Sequence, residues 1–181
     1  MIIIMGLPGA GKSTVLAGIK KLQPEYKFQN YGDLMFEIEK EKYGIQNRDD
    51  MRKLPIEKQK EVQKHVADRL SKEHGKFVLD THCSVNTPKG YFPGLPHSLL
   101  SKLKVDALVL ITTTAEDINQ RRNADSTRVR DEQSVESIME HDLINRSFLA
   151  AYSALTGAPA VIVYNRNGKL EEAVKKLNSI F

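Results

Sequence analysis

Residues Gly6-Leu7-Pro8-Gly9-Ala10-Gly11-Lys12-Ser13 satisfy the pattern Gly-x-x-x-x-Gly-Lys-Ser/Thr at every fixed position, directly after the apolar run Ile2-Ile3-Ile4-Met5. This pattern constrains the fold because it works only between a strand and a helix. Both neighbours are legible: a short β-branched run precedes the glycines, and the periodic stretch from Ser13 to Leu22 predicts the helix that follows. A phosphate chain carries several negative charges and is surrounded only where backbone N–H groups approach closely, which Gly6, Gly9 and Gly11 permit around Leu7, Pro8 and Ala10. A helix starting near Lys12 adds its unpaired N-terminal donors. The Lys12 ammonium then reaches β- and γ-phosphates, the Ser13 hydroxyl ligates Mg2+, and Thr14 supplies one more hydrogen bond. The segment therefore implies a grip on a nucleoside triphosphate.

The remaining apolar runs, Phe77-Leu79, Val105-Ile111 and Ala160-Val163, are short and nearly continuous, as strands covered on both faces must be. A weaker strand is predicted over Tyr26-Tyr31. Helical periodicity covers Leu34 to Lys42, Pro55 to Glu73, Val135 to Leu155 and the stretch from Leu170 to Phe181. This alternation predicts an α/β three-layer sandwich with about five parallel strands, whose ligands bind at the strand carboxyl ends. The 181 residues fit one domain, possessing room for small inserted flaps. Met1-Ile4 is too short for a signal sequence or a membrane span, and the single cysteine, Cys83, fits a reducing, cytoplasmic compartment. The net charge of +4 comes from basic residues interspersed with acids, so neither a nucleic-acid partner nor a membrane is needed to explain it.

Polar residues cluster after the predicted strands. Asp80 closes Lys76-Phe77-Val78-Leu79 as a lone carboxylate, the arrangement that holds Mg2+ in phosphate-loop proteins, and it joins Ser13 in the expected metal shell. Arg121, Arg122, Arg128 and Arg130 put four guanidinium groups into ten residues of an irregular polar stretch. Their planar forks suit phosphate oxygens; a solvated loop paired to Asp125 and Asp131 is the plainer alternative. Arg48 and Arg52 lie between two helices, in an acceptor flap or an ordinary connection. Residues 81–96, rich in Pro and Gly, are expected to form a long ordered loop in which Tyr91 or Phe92 stacks on a base or anchors the loop. His82 and Cys83 are not expected to bind metal, because neighbours on a strand point to opposite faces.

Taken together, Gly6 to Ser13, Tyr31-Gly32-Asp33-Leu34-Met35-Phe36-Glu37, Arg48-Asp49-Asp50-Met51-Arg52-Lys53-Leu54 and Asp80-Thr81-His82 resemble the archaeal-type adenylate kinases. Thr87-Pro88-Lys89-Gly90-Tyr91, Gly94-Leu95-Pro96, Asp125 to Asp131, Leu155-Thr156-Gly157-Ala158 and Asn165-Arg166-Asn167-Gly168 extend the likeness over essentially the whole chain. The resemblance implies a single P-loop kinase domain over residues 1–181, with an AMP-binding insertion at about 32–75 and a short lid at about 123–134. It implies reversible, Mg2+-dependent phosphoryl transfer from ATP to AMP, giving two ADP. Lys12, Arg128 and Arg130 would then be catalytic. The donor set would be residues 6–14 with Arg122, Asn165 and Gly168, although Arg121 or Arg122 could pack on the ATP base. The acceptor set would be Asp33, Arg48, Arg52, Thr81, His82, Gly90 and Tyr91. The family further implies a homo-oligomer, specifically a homotrimer.

The chain departs from the long-form adenylate kinases in lacking their larger lid insert and in reading Asp80-Thr81-His82-Cys83-Ser84 after the third strand. Two rival readings share the phosphate loop. A kinase for a hydroxyl acceptor, shikimate-like or sugar-acid-like, would use Asp33 to take the acceptor proton, whereas a phosphate acceptor needs no such base. A non-catalytic nucleotide switch reading guanine would need Asn-Lys-x-Asp where this chain has Asn165-Arg166-Asn167-Gly168.

Overall fold

The computed structural model describes residues 1–73, 75–124 and 134–181, with the side chains of residues 48, 49 and 52 outside that description. In chain order the elements are β1 (Ile2–Gly6), α1 (Lys12–Leu22), β2 (Lys27–Asn30), α2 (Tyr31–Tyr43), a 3-10 turn at Arg48–Lys53 and α3 (Ile56–Leu70). They continue with β3 (Phe77–Thr81), β4 (Ser84–Thr87), β5 (Gly90–Pro93), α4 (His97–Leu100), β6 (Ala107–Thr112), α5 (Ala115–Ala124), α6 (Val135–Thr156), β7 (Ala160–Tyr164) and α7 (Leu170–Asn178). Five strands form one parallel sheet in the order β2-β3-β1-β6-β7. This is the α/β three-layer architecture that the alternating runs predicted.

The period of two along each strand divides the core into two clusters. Ile3 and Met5 of β1, Phe77 and Leu79 of β3, and Leu108 and Leu110 of β6 face α2, α3, α4 and α6. Ile2 and Ile4, Val78, Val109 and Ile111 face the opposite way, against Val15, Leu16 and Ile19 of α1 and Ala173 and Leu177 of α7. Continuous apolar strands are thus required because helices cover both sides.

The chain leaves β1 for β2 on one side of the sheet and reaches β6 on the other, so the order reverses at β1. A crevice opens outside the carboxyl ends of strands at such a point, and the loop after β1 lies in it. Parallel register brings Asn30 of β2 beside Asp80 of β3 at the same rim.

Two expectations need correction. Residues 81–96 are not one long loop, because Ser84–Thr87 and Gly90–Pro93 pair as an antiparallel hairpin. Their strands are four residues each, too short to impose a readable alternation. The irregular arginine stretch begins as helix: Arg121 and Arg122 occupy the last turn of α5, which buries only Ala115 and Ile118 and so leaves little apolar periodicity.

Candidate active site

The loop after β1 has the geometry its glycines allow. Gly9 and Gly11 take φ of 94° and 78°, in the left-handed region where a side chain is strained. A Cβ on Gly11 would also collide with the Asn165 side-chain amide. Gly11 is the N-cap of α1 and, having no side chain, gives no side-chain cap; the first turn carries no acidic residue. The helix N-terminus is thereby left as a positive end open to an anion. Ser13 and Thr14 stand exposed on that first turn.

Lys12 forms an ion pair with Oδ1 of Asp80. The other carboxylate oxygen accepts a 2.9 Å hydrogen bond from the Asn30 amide, and Asn30 Oδ1 in turn accepts from the Asp33 backbone N–H at 3.2 Å. Asn30 was not singled out from sequence. A lone amide at the end of a weak strand carries no signal until the sheet sets it beside Asp80.

The arginines at the end of α5 divide their work. Arg121 donates to the Ala10 carbonyl at 3.2 Å, to the Asn165 carbonyl at 2.8 Å and to Asn167 Oδ1 at 2.7 Å. Arg122 Nε donates to the Pro8 carbonyl at 2.8 Å. Arg121 therefore lies toward the loop after β7, and Arg122 toward the opening of the phosphate loop. Asn165 is buried and its side-chain amide donates to the Ala10 carbonyl at 3.0 Å, fastening the loop after β7 to the cradle; Gly168 is exposed beyond it with φ of 72°.

On the other side, Asp33 is exposed in the first turn of α2, and Thr81 is buried at the end of β3. The His82 residue surface is exposed, yet its ring is crowded. Desolvation first, and then the Lys12 charge, hold its pKa below the usual imidazole value, against the pull of Asp80 and the Gly6 carbonyl. Gly90 opens β5 at φ 108°, and the Tyr91 ring packs 4.9 Å from that of His141 on α6. His141 is itself buried, 3.0 Å from Ser84 Oγ, which donates at 2.6 Å to Asn145 Oδ1. Burial, with a contribution from the Arg122 charge, depresses the His141 pKa. Phe92 is exposed. Arg48 and Arg52 belong to the 3-10 turn, with their side chains outside the description, and Arg128 and Arg130 lie outside the described residues.

A parallel sheet with a strand-order reversal, a glycine cradle opening a helix, and a lysine paired with a strand-end carboxylate define a P-loop nucleotide-binding protein. A family profile described as an AAA domain matches residues 5–139. An adenylate kinase of Methanothermobacter thermautotrophicus is 42% identical over 182 residues, covering 99% of this chain and 98% of its own. One from Methanopyrus kandleri is 43% identical over 180 residues, covering 97% and 94%, and one from Methanocaldococcus jannaschii is 42% identical over 183 residues, covering 98% and 95%. The chain belongs to the adenylate kinase family. Among solved structures, shikimate kinase from Acinetobacter baumannii in complex with shikimate superposes with a TM-score of 0.61 at 22% identity, covering 99% of this chain and 91% of that one. Shikimate kinase from Bacteroides thetaiotaomicron gives 0.58 at 15% identity, covering 99% and 96%. At these identities the likeness is one of fold.

Proposed function

We infer that the chain catalyses reversible transfer of the terminal phosphoryl group of ATP to AMP, giving two ADP. A phosphate oxygen of AMP bonds to the γ-phosphorus while the bond from that phosphorus to the β,γ-bridging oxygen breaks, and the electron pair leaves with ADP. The nucleophile is already anionic, so no general base is required and the protein's task is to hold two repelling phosphate chains in line. The observation that carries this reading is the glycine cradle with Lys12 and Asp80 at the switch point, in a chain so similar to adenylate kinases along its whole length.

Lys12 takes the β- and γ-phosphates and the backbone of residues 6–14 surrounds them. Arg121, Arg122 and the Asn165–Gly168 loop flank the donor base and phosphates, and Arg128 and Arg130 of a lid at about 123–134 meet the migrating group. AMP lies against the insertion at about 32–75, with Asp33, Arg48 and Arg52, and against Thr81, His82, Gly90 and Tyr91. The donor set fits Mg2+: the Ser13 hydroxyl and the Asp80 carboxylate are hard oxygens, and this ion needs only one or two protein oxygens beside phosphates and water. When bound, it neutralises charge on the β- and γ-oxygens.

The family reading also supports a cytoplasmic homotrimer. The buried free thiol of Cys83 suits a reducing compartment, and Met139, Leu143 and Leu155 on α6 expose 57%, 64% and 60% of their surfaces. Among the described residues, no helix is long and apolar enough to cross a membrane. A coupled ADP-formation assay tests the reaction: AMP must consume ATP and shikimate must not. Turnover of hydroxyl acceptors with inert AMP would overturn the assignment, while sedimentation measures the assembly.

A further inference from the structure

The Asn30 amide is divided between two parts of the molecule. Its oxygen caps α2 by accepting from the Asp33 N–H, with the backbone in the extended N-cap conformation at φ −95° and ψ 130°. Its nitrogen donates to Asp80 Oδ2 at 2.9 Å, while Lys12 occupies Oδ1 of the same carboxylate. A continuous chain of polar contacts therefore runs from the phosphate-loop lysine through Asp80 and Asn30 to the start of the helix that opens the acceptor-side insertion.

Among the described residues, the two partners of Asp80 differ in kind. Lys12 carries its charge on a long flexible stem and moves to phosphate oxygens when nucleotide arrives; Asn30 is short and anchored at a strand end. The torsion that orients a carboxylate is soft, so once Lys12 leaves, the Asn30 bond is, among the described residues, what holds Asp80 in orientation. Because the amide is planar and rigid, any turn of Asp80 that pulls its nitrogen also moves the oxygen bound to Asp33 N–H.

We propose that Asn30 is a positioning residue that couples donor-site occupancy to the acceptor-side helix: release of Asp80 by Lys12 is transmitted through its amide to the first turn of α2. The proposal rests on the functional reading above. It explains why an amide stands where either a hydroxyl or a carboxylate would cap the helix equally well. Serine is too short to reach Asp80, and aspartate would oppose it with like charge.

The test separates cap from link by measuring AMP affinity calorimetrically, with and without a non-hydrolysable ATP analogue and Mg2+. The wild-type protein should bind AMP roughly fivefold or more tightly when the analogue is present, within the usual range of coupling between sites. Asn30→Ser should melt close to wild type because it keeps the cap, yet its affinity ratio should fall to near one. Asn30→Asp also keeps a cap and should lose the ratio, which guards against a folding defect peculiar to serine. Asn30→Ala should lose both ratio and thermal stability. A wild-type ratio near one, or wild-type ratios in both Asn30→Ser and Asn30→Asp, would overturn the coupling. Failure of the wild-type protein to make ADP from AMP overturns the underlying reading and the proposal with it; ADP formation alongside unchanged ratios removes the proposal alone.

Discussion

Lys12 and Asp80 are ion-paired within the crevice, with side chains only 12% and 19% exposed. The pair keeps a cation and an anion ready at the point where phosphates and Mg2+ are expected, each neutralising the other until nucleotide arrives. Lys12→Ala removes the cation and leaves the carboxylate facing the incoming phosphates. Turnover should fall at least about 100-fold, on the order of 3 kcal/mol of transition-state stabilisation, by comparison with other electrostatic donors. Steady-state kinetics of ADP formation check this, and near-normal turnover would remove Lys12 from the catalytic group.

Arg121 and Arg122 are adjacent but should give different kinetic signatures. Arg121 binds the Ala10 and Asn165 carbonyls and Asn167, so Arg121→Ala should loosen the loop after β7 and raise KM for ATP about tenfold, with little change in KM for AMP. Arg122, on the Pro8 carbonyl at the phosphate side, should show its loss mainly in kcat. Measuring both constants for both substrates decides the matter; the opposite pattern would exchange their roles.

Arg128 and Arg130 lie outside the described residues, and their prediction rests on the sequence. Each alanine variant should lose turnover far more than nucleotide affinity, by about 3 kcal/mol in the transition state. Unchanged kcat in both would exclude them from contact with the migrating phosphoryl group.

Glu39 of α2 is 0% exposed, and among the described residues neither carboxylate oxygen has a hydrogen-bond partner. Burial raises its pKa above the ordinary glutamate value. With the folded-state pKa above the unfolded one, the associated stability is fully present below the unfolded value and is lost as pH rises through the folded value. Glu39→Gln or Glu39→Leu should therefore stabilise the protein at pH 7.5 by about 1–3 kcal/mol, and the gain should shrink on approaching pH 4. Thermal melts of wild type and variants at both pH values test this; a pH-independent difference, or destabilisation by both variants, contradicts it.

How much of the site was readable depended on whether a residue's role is local. Gly6 to Ser13 could be recognised because strand, turn and helix are contiguous, and β1, β3 and β6 because burial on both faces demands nearly unbroken apolar runs; the edge strand β7 buries only Val163 fully, and its apolar run Ala160-Val163 alone marked it. The β4–β5 hairpin was hidden by strands of four residues and a turn through Pro88 and Lys89. Helix α5 was hidden because its surface is almost wholly polar.

By itself, then, the amino-acid order determined the layered architecture, the phosphate cradle and the acid at the end of β3, since each is written in neighbouring residues with their own periodicity or spacing. Only the tertiary structure decided that Asn30 holds Asp80, that Arg121 rather than Arg122 ties the cradle to Asn165, and that Tyr91 rests on His141. Those pairings join residues roughly 40 to 50 positions apart, brought together by the parallel register and by helix packing on the sheet, and no local pattern carries such information.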